Sequence, residues 1–141
     1  MLVIRKFREE DNAVLASIYL GCRTETFHWV SGDSFKLEDF TNDTLGEAIL
    51  VAVNDGEIVG FVSLWLPDNF IHHLFIHAKY QKRGAGGRLL DEALRLIGRP
   101  ARLKCVIQNR KACMFYEKRG WTVESSTMDG PMGPYHTYRC E

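Results

Sequence analysis

Three things are missing from this sequence, and each absence removes a class of function. There is no net charge: eighteen Lys and Arg cancel eighteen Asp and Glu. A nucleic-acid binder normally carries a basic excess or a basic stripe, so none is expected as partner. There is no apolar run approaching the ~20 residues of a membrane span, and Met1-Leu2-Val3-Ile4-Arg5 turns charged before a signal-peptide core could form. The expectation is a soluble, cytoplasmic protein without a membrane partner. There is also no C-x-x-C pair. Cys22, Cys105, Cys113 and Cys140 form no compact Cys/His cluster with zinc spacing. Free thiols in a reducing compartment and no bound metal are expected.

What is present suits one domain over residues 1–141. An apolar share of 45% supplies a real core, so neither disulfides nor metal are needed to hold it. Leu2 to Phe7 reads as a first strand. Glu9-Glu10-Asp11 puts acids in the first turn of a helix whose apolar positions Val14, Leu15, Ile18 and Tyr19 share a face. Residues 21–32 carry no readable period. Phe35, Leu37 and Phe40 suggest a second short helix, with Ser34 as its cap. A β-meander follows. Ile49 to Val53 and Ile58 to Leu66 flank the hairpin turn Asn54-Asp55-Gly56, and Phe70 to Ile76 is apolar enough to be central. A helix from Gly84–Gly87 onward carries Leu89, Leu90, Ala93, Leu94 and Ile97, and Gly98 and Pro100 stop it. Leu103 to Ile107 is a strand, Asn109 to Arg119 a helix, and Trp121 to Ser126 and Tyr135 to Cys140 two last strands. This order predicts an α/β fold with a mixed sheet.

The segment joining the central strand to its helix is Gln81-Lys82-Arg83-Gly84-Ala85-Gly86-Gly87-Arg88. Glycines let backbone N–H groups converge on an anion, and a helix N-terminus adds partial positive charge. Lys82, Arg83 and Arg88 add full charges, so a pyrophosphate is the natural ligand. A P-loop would need Lys-Ser or Lys-Thr after the glycines, and none follows. A dinucleotide fingerprint would need a third glycine where Leu89 stands. The pattern that fits is Q/R-x-x-G-x-G/A. Downstream lies Asn109-Arg110-Lys111-Ala112-Cys113-Met114-Phe115-Tyr116-Glu117-Lys118-Arg119-Gly120-Trp121, which fits N-x-x-A-x-x-F-Y-x-x-x-G-F with Trp121 for the usual Phe.

Together the two motifs resemble those of the GNAT family of N-acetyltransferases, over residues 70 to 121 at motif level. The resemblance implies a mixed, mostly antiparallel sheet, flanked by helices and splayed between the strand ending at Ile76 and the strand at Leu103 to Val106. It implies acetyl-CoA as cosubstrate. The pantetheine arm would lie in the split along Leu74, Phe75 and Ile76, bonded to the backbone of Leu74 and Ile76. The pyrophosphate would sit on the loop Gln81, Lys82, Arg83, Gly84, Ala85, Gly86 and Gly87. Asn109 would reach the cofactor arm, and the Tyr116 hydroxyl would point at the sulfur. The implied activity is transfer of an acetyl group to a primary amine by direct attack in a ternary complex. An acyl-CoA-binding module without turnover is the alternative, and a nucleotide-binding domain is a more remote one.

The chemistry asks for two proton-handling groups. An amine with a pKa of ~10.4 must lose a proton before attack, and a thiolate whose acid has a pKa of ~8.5 must be stabilised as it leaves. Tyr116 is the candidate acid. For the base, some members of the family have a histidine that aligns with His72, while the glutamate that others place at Phe70 is missing. His72 has a suitable intrinsic pKa of ~6.5. Strict alternation sends His72 to one face with Phe70 and Leu74, and His73 to the other with Phe75, unless a bulge intervenes. A backbone N–H near Leu74 or Phe75 would hold the oxyanion, as the family pattern suggests. Phe27, His28, Trp29, Tyr135 and Tyr138 are the aromatic residues available to an acceptor pocket for a small-molecule or peptide amine. The acceptor's identity and the choice between monomer and homodimer stay open. Cys105 and Cys113 lie beside the site, but direct attack needs no enzyme nucleophile.

Overall fold

The computed structural model describes residues 1–141. Its strands are β1 (Leu2–Lys6), β2 (Ala48–Asn54), β3 (Glu57–Trp65), β4 (Phe70–Ile76), β5 (Ala101–Val106), β6 (Thr122–Thr127) and β7 (Tyr135–Cys140). Its helices are α1 (Asn12–Thr26), α2 (Asp39–Asp43), α3 (Ala85–Leu96) and α4 (Arg110–Lys118). All seven strands form one open sheet in the order β1-β2-β3-β4-β5-β7-β6. Only the β4–β5 junction is parallel. The expected mixed, mostly antiparallel sheet flanked by helices is therefore the observed fold.

Local chemistry explains the meander. Asp55 and Gly56, between β2 and β3, both take positive φ (50° and 84°), which suits the twist of a two-residue hairpin. Side chains then alternate across the sheet. Val51 and Phe61 join Leu15, Ile18, Tyr19, Cys22 and Phe40 in a core under α1 and α2. Leu50, Val62 and Leu64 join Leu89, Leu90, Ala93, Leu103 and Tyr138 in a larger core under α3 and α4. Leu89 and Leu90 are almost wholly buried, and each side chain contributes about 1.5–3 kcal/mol of transfer free energy.

The parallel junction positions the site. β4 pairs with β5 only at Phe70↔Arg102 and Ile71↔Leu103. Beyond these pairs the strands part, and β5 stays paired with β7 along its whole length. The split opens where it was expected, ahead of Leu74.

One local gap is filled and two local expectations are corrected. First, α1 extends into the segment that carries no readable period and runs to Thr26, burying Cys22 and Arg23 in its last turns. Arg23 hid the period: its guanidinium lies 3.8 Å from the Tyr19 ring centre and bonds Asp39 at 3.1 Å, so a charged residue fills an inward position. Second, Ser34 does not cap a helix. It closes a 3-10 turn (Gly32–Ser34), and α2 starts at Asp39, whose carboxylate accepts from the Lys36 N–H at 2.9 Å. Third, alternation along β4 is broken. Ser63 faces His73, and the next residue, Leu64, faces Ile71, so His72 is the extra residue of a β-bulge. Ile71, Leu74 and Ile76 consequently all face the α3 side. His72 does not share a face with Leu74 but stands beside His73, ring centres 3.8 Å apart.

Candidate active site

Two clefts enter the split from opposite sides. One, about 560 Å³, runs past the loop between β4 and α3. The other, about 400 Å³, opens between α1, β4, β5 and the β6–β7 loop. Leu74, Phe75, Asn109, Ala112 and Tyr116 line both, so the clefts meet at those five residues. A ligand in the first can therefore present one end to a ligand in the second.

The first cleft is built mainly from backbone. Lys82 and Gly84 both take left-handed φ, 66° and 86°, and turn the chain into the N-terminus of α3. A non-glycine residue in this region costs energy, and such strain gathers at ligand sites. The first-turn N–H groups of α3 have no intrahelical acceptor and face an anion-sized space. Gln81, Lys82, Gly84, Ala85, Gly86 and Gly87 line this cleft, with Ile76 above them. Gln81 also ties the loop to β4, donating from Nε2 to the Ile76 carbonyl at 2.9 Å. Arg83 instead stacks over the Tyr80 ring, 5.6 Å from its centre, and Arg88 donates to the Leu2 carbonyl at 3.3 Å. Neither lines the cleft. Lys111 of α4 and Arg119 at its C-terminal end do, and sequence reasoning missed both. Their signal was available, since they stand two and ten positions after Asn109 in the Asn109–Trp121 motif.

At the junction, Asn109 caps α4 by accepting from the Ala112 N–H at 3.4 Å. Tyr116 follows on the inward face of the same helix and is buried. Burial pushes its phenol well above the ordinary value, and Cys105 and Cys113 add to the shift. Tyr116 thus keeps its proton at physiological pH and is available as a donor at the meeting point. Cys105 and Cys113 stand with sulfurs 3.6 Å apart. Burial also raises the Cys105 thiol, which is the wrong direction for a nucleophile.

The two histidines have different surroundings. Tyr19 donates to Asp43 at 2.7 Å, which leaves its oxygen to accept from His73 Nε2–H at 3.1 Å. His73 Nδ1 then accepts from Ser63 Oγ at 2.9 Å. Both ring nitrogens are spent inside the fold. Burial, reinforced by the His72 ring and Arg23, pushes His73 down to about 3, so it is neutral. His72 keeps 43% of its side chain exposed and makes one hydrogen bond, between Nδ1 and Glu47 Oε2 at 2.6 Å. It lines the second cleft. Glu47 had no signal in the sequence, because it follows a turn and reaches the site only through space.

Of the aromatic residues, Phe27 and Tyr135 line the second cleft together with Met132. Trp29 braces the wall from behind, donating to the Met132 carbonyl at 2.8 Å. His28 packs against Trp29 and is not on the wall. Tyr138 is fully buried, with its hydroxyl on Glu117 at 2.6 Å, and belongs to the core. Alternation on β7 explains the difference: Tyr138 faces Leu103, an inward position of β5. No helix is long and apolar enough to cross a membrane.

Comparison with known proteins agrees with this fold. The uncharacterized N-acetyltransferase YhfO of Bacillus subtilis (strain 168) is 29% identical over 138 residues, covering 86% of this chain and 91% of that protein. The solution structure of the apo form of YjaB from Escherichia coli superposes with a TM-score of 0.82 at 26% identity, covering 99% of this chain and 97% of that one. The PaiA N-acetyltransferase of Thermoplasma acidophilum, solved in complex with coenzyme A, shares the fold with a TM-score of 0.79 at 21% identity, covering 99% of each chain. The family model for GNAT acetyltransferases matches residues 12–121, which include the splayed strands, the glycine-rich loop and the Tyr116 helix, and the chain belongs to that family.

Proposed function

We propose that this acetyltransferase takes its acetyl group from acetyl-CoA and passes it to a primary amine by direct attack within a ternary complex. The observation that carries the reading is the meeting of the two clefts at Tyr116 across the split between β4 and β5. The dimensions and chemistry of the first cleft suit coenzyme A. Backbone amides from Gln81 to Gly87 and the α3 N-terminus suit its pyrophosphate, with Lys82, Lys111 and Arg119 supplying charge. The free edge of β4 at Leu74–Ile76 suits the amide groups of the pantetheine arm, and Asn109 stands opposite. The complex of the Thermoplasma protein with coenzyme A supports the same assignment.

The residues then divide the work. Phe27 and Tyr135 hold the apolar part of the acceptor in the second cleft. His72 takes a proton from the ammonium, directly or through water, and frees the nitrogen lone pair. A backbone N–H at Leu74 or Phe75 holds the oxygen of the tetrahedral intermediate. Tyr116 donates a hydrogen bond to the departing sulfur. Because its own phenol is held high, it stabilises the thiolate chiefly as a hydrogen-bond donor. Placing the two reactants side by side supplies much of the acceleration, and each proton-handling group adds ~10²–10⁴-fold.

The test is thiol release from acetyl-CoA against a panel of small amines, amino acids and peptides. Turnover with at least one primary amine is expected, and His72→Ala should lower kcat ~10-fold or more while leaving CoA binding intact. Tight CoA binding without turnover on any amine would replace the reading with a non-catalytic acyl-CoA-binding module. A His72→Ala variant with the wild-type rate would take His72 out of the mechanism.

A further inference from the structure

Glu47 is a buried carboxylate that the fold satisfies only in part. Its side chain is 5% exposed, and Oε1 is buried with no hydrogen-bond partner. Leaving a buried acceptor unpaired costs about 1–3 kcal/mol, and more when it is charged. A buried, half-satisfied carboxylate calls for an explanation outside stability. Its one close partner is His72 Nδ1, at 2.6 Å.

Glu47, His72 and His73 offer ligand atoms within 4.8 Å of one another, which invites a metal. His73, however, has no nitrogen to give, because Tyr19 and Ser63 hold both. A metal would have to break the chain from Asp43 through Tyr19 and His73 to Ser63. The Cys105–Cys113 pair is buried, only Cys105 reaches the second cleft, and nothing at the site supplies an oxidant. The Glu47–His72 contact remains, and its chemistry is specific.

We infer that Glu47 is a positioning residue for His72, fixing the tautomer in which Nδ1 carries the hydrogen and Nε2 presents its lone pair to the acceptor cleft. The inference rests on His72 being the base. A carboxylate only accepts, so the hydrogen between the two must sit on Nδ1. In water the opposite tautomer, Nε2–H, predominates, and it would turn a donor toward the incoming amine. The bulge explains the sequence arrangement. It sets His72 beside His73 rather than across the sheet from it, and so brings it over Glu47 at the start of β2. Glu47 itself does not line the cleft and touches no substrate. In the step, the ammonium proton moves to His72 Nε2, the amine adds to the thioester carbonyl, the tetrahedral intermediate expels the sulfur, and the second proton of the nitrogen goes to the leaving thiolate to give the amide and free CoA thiol, while Glu47 holds Nδ1–H of the imidazolium. The proton then passes from Nε2 to water.

Two measurements test this. Long-range ¹H–¹⁵N NMR of the histidine rings reads the tautomer directly and needs no acceptor. Wild type should show His72 as Nδ1–H, and Glu47→Ala should convert it to the Nε2–H form without lowering the melting temperature. Thiol release on the best amine of the panel should fall about tenfold or more in kcat for Glu47→Ala, with KM for acetyl-CoA unchanged. Glu47→Gln, whose carbonyl can still accept from Nδ1–H, should recover part of the loss. Glu47→Ala should cost nothing further in a His72→Ala background, because the two act as one unit. An Nε2–H tautomer in wild type, or a tautomer unmoved by Glu47→Ala, overturns the inference. If the tautomer follows Glu47 but His72→Ala keeps the wild-type rate, it is the base assignment that fails, and the failure is visible as such.

Discussion

The two clefts differ in what they are made of. The cofactor cleft is centred on consecutive residues, a left-handed Gly84 and the amides that follow it, with side chains added from α1, β4 and α4. The acceptor cleft takes Tyr19 and Arg23 from α1 and Phe27 just after it, Asp43 from α2, the histidines of β4 and Met132 and Tyr135 from the far end of the chain. A site made by backbone conformation leaves a local mark, because only certain residues tolerate that conformation. A site made by side chains converging from four elements leaves none. The first kind suits a donor with the same phosphates in every turnover, and the second suits an acceptor that can differ from protein to protein.

Changing Gly84 should produce the largest effect and tests whether backbone shape carries the first cleft. Gly84 sits at φ 86°, and a Cβ added there would meet no atom within 4 Å. Gly84→Val therefore creates no clash, but a β-branched residue at positive φ is strained by about 1–3 kcal/mol. The loop should relax away from that conformation and take its amides with it. We expect CoA affinity to fall roughly 10–100-fold by calorimetry while the domain stays folded. Unchanged affinity would place the cofactor elsewhere.

This contrast also explains what could be read from the sequence. Strand β4 was expected at Phe70 to Ile76 and occupies those residues. The glycine-rich loop and the Asn109–Trp121 segment were expected as one site and converge on one cleft. The position of His72 was not legible, because a bulge depends on how two strands pair and not on the residues of one. Ser63 and Leu64 on β3 set it, nine and eight positions before His72. The Asp43–Tyr19–His73–Ser63 chain joins four elements and has no periodicity to find. Tyr138 was assigned to the acceptor side because it is aromatic and near the C-terminus, whereas its register against Leu103 turns it into the core.

Tyr116→Phe tests the junction itself. The ring would still pack against Trp121 and Tyr138, whose ring centres lie 6.0 and 6.1 Å away. Only the donor toward the sulfur is lost. CoA affinity should hold and kcat should fall ~10-fold or more, with the loss in the chemical step. Wild-type turnover in this variant, with chemistry shown to be rate-limiting, would remove Tyr116 from the mechanism.

The next effect concerns stability and separates the neighbouring histidines. His73 is held down to about 3 in the fold and has an ordinary value of ~6.5 when unfolded. As pH falls through ~6.5 the unfolded chain takes a proton that the native protein refuses. Stability from this group is therefore complete above ~6.5 and is lost downward until about 3. Between pH 7 and pH 6 the loss should be roughly 0.7 kcal/mol, growing to about 1.4 kcal/mol per pH unit below that. Urea midpoints across pH 7 to 5 should show this slope in wild type and a flatter one in His73→Phe. An unchanged slope would mean that another group titrates.

The smallest effect is the sharpest test of backbone against charge. Arg88 belongs to the glycine-rich segment, and by composition alone its guanidinium would be counted among the groups attracting a pyrophosphate. In the fold it points away, donating to the Leu2 carbonyl of β1 at 3.3 Å, and it does not line the cofactor cleft. Lys111 and Arg119, outside that segment, do line it. Arg119 also lies over the Phe115 ring at 4.9 Å, which holds its charge beside Gly87. If placement rather than composition decides, Arg88→Ala should change CoA affinity by less than about twofold, since an exposed charge at that remove is screened by solvent and salt. Lys111→Ala and Arg119→Ala should each weaken CoA about threefold or more, in a salt-dependent way. Titrations at two ionic strengths would decide. A larger loss from Arg88→Ala than from either α4 variant would mean that the segment binds through its summed charge, and that the left-handed turn at Gly84 is not what selects the ligand.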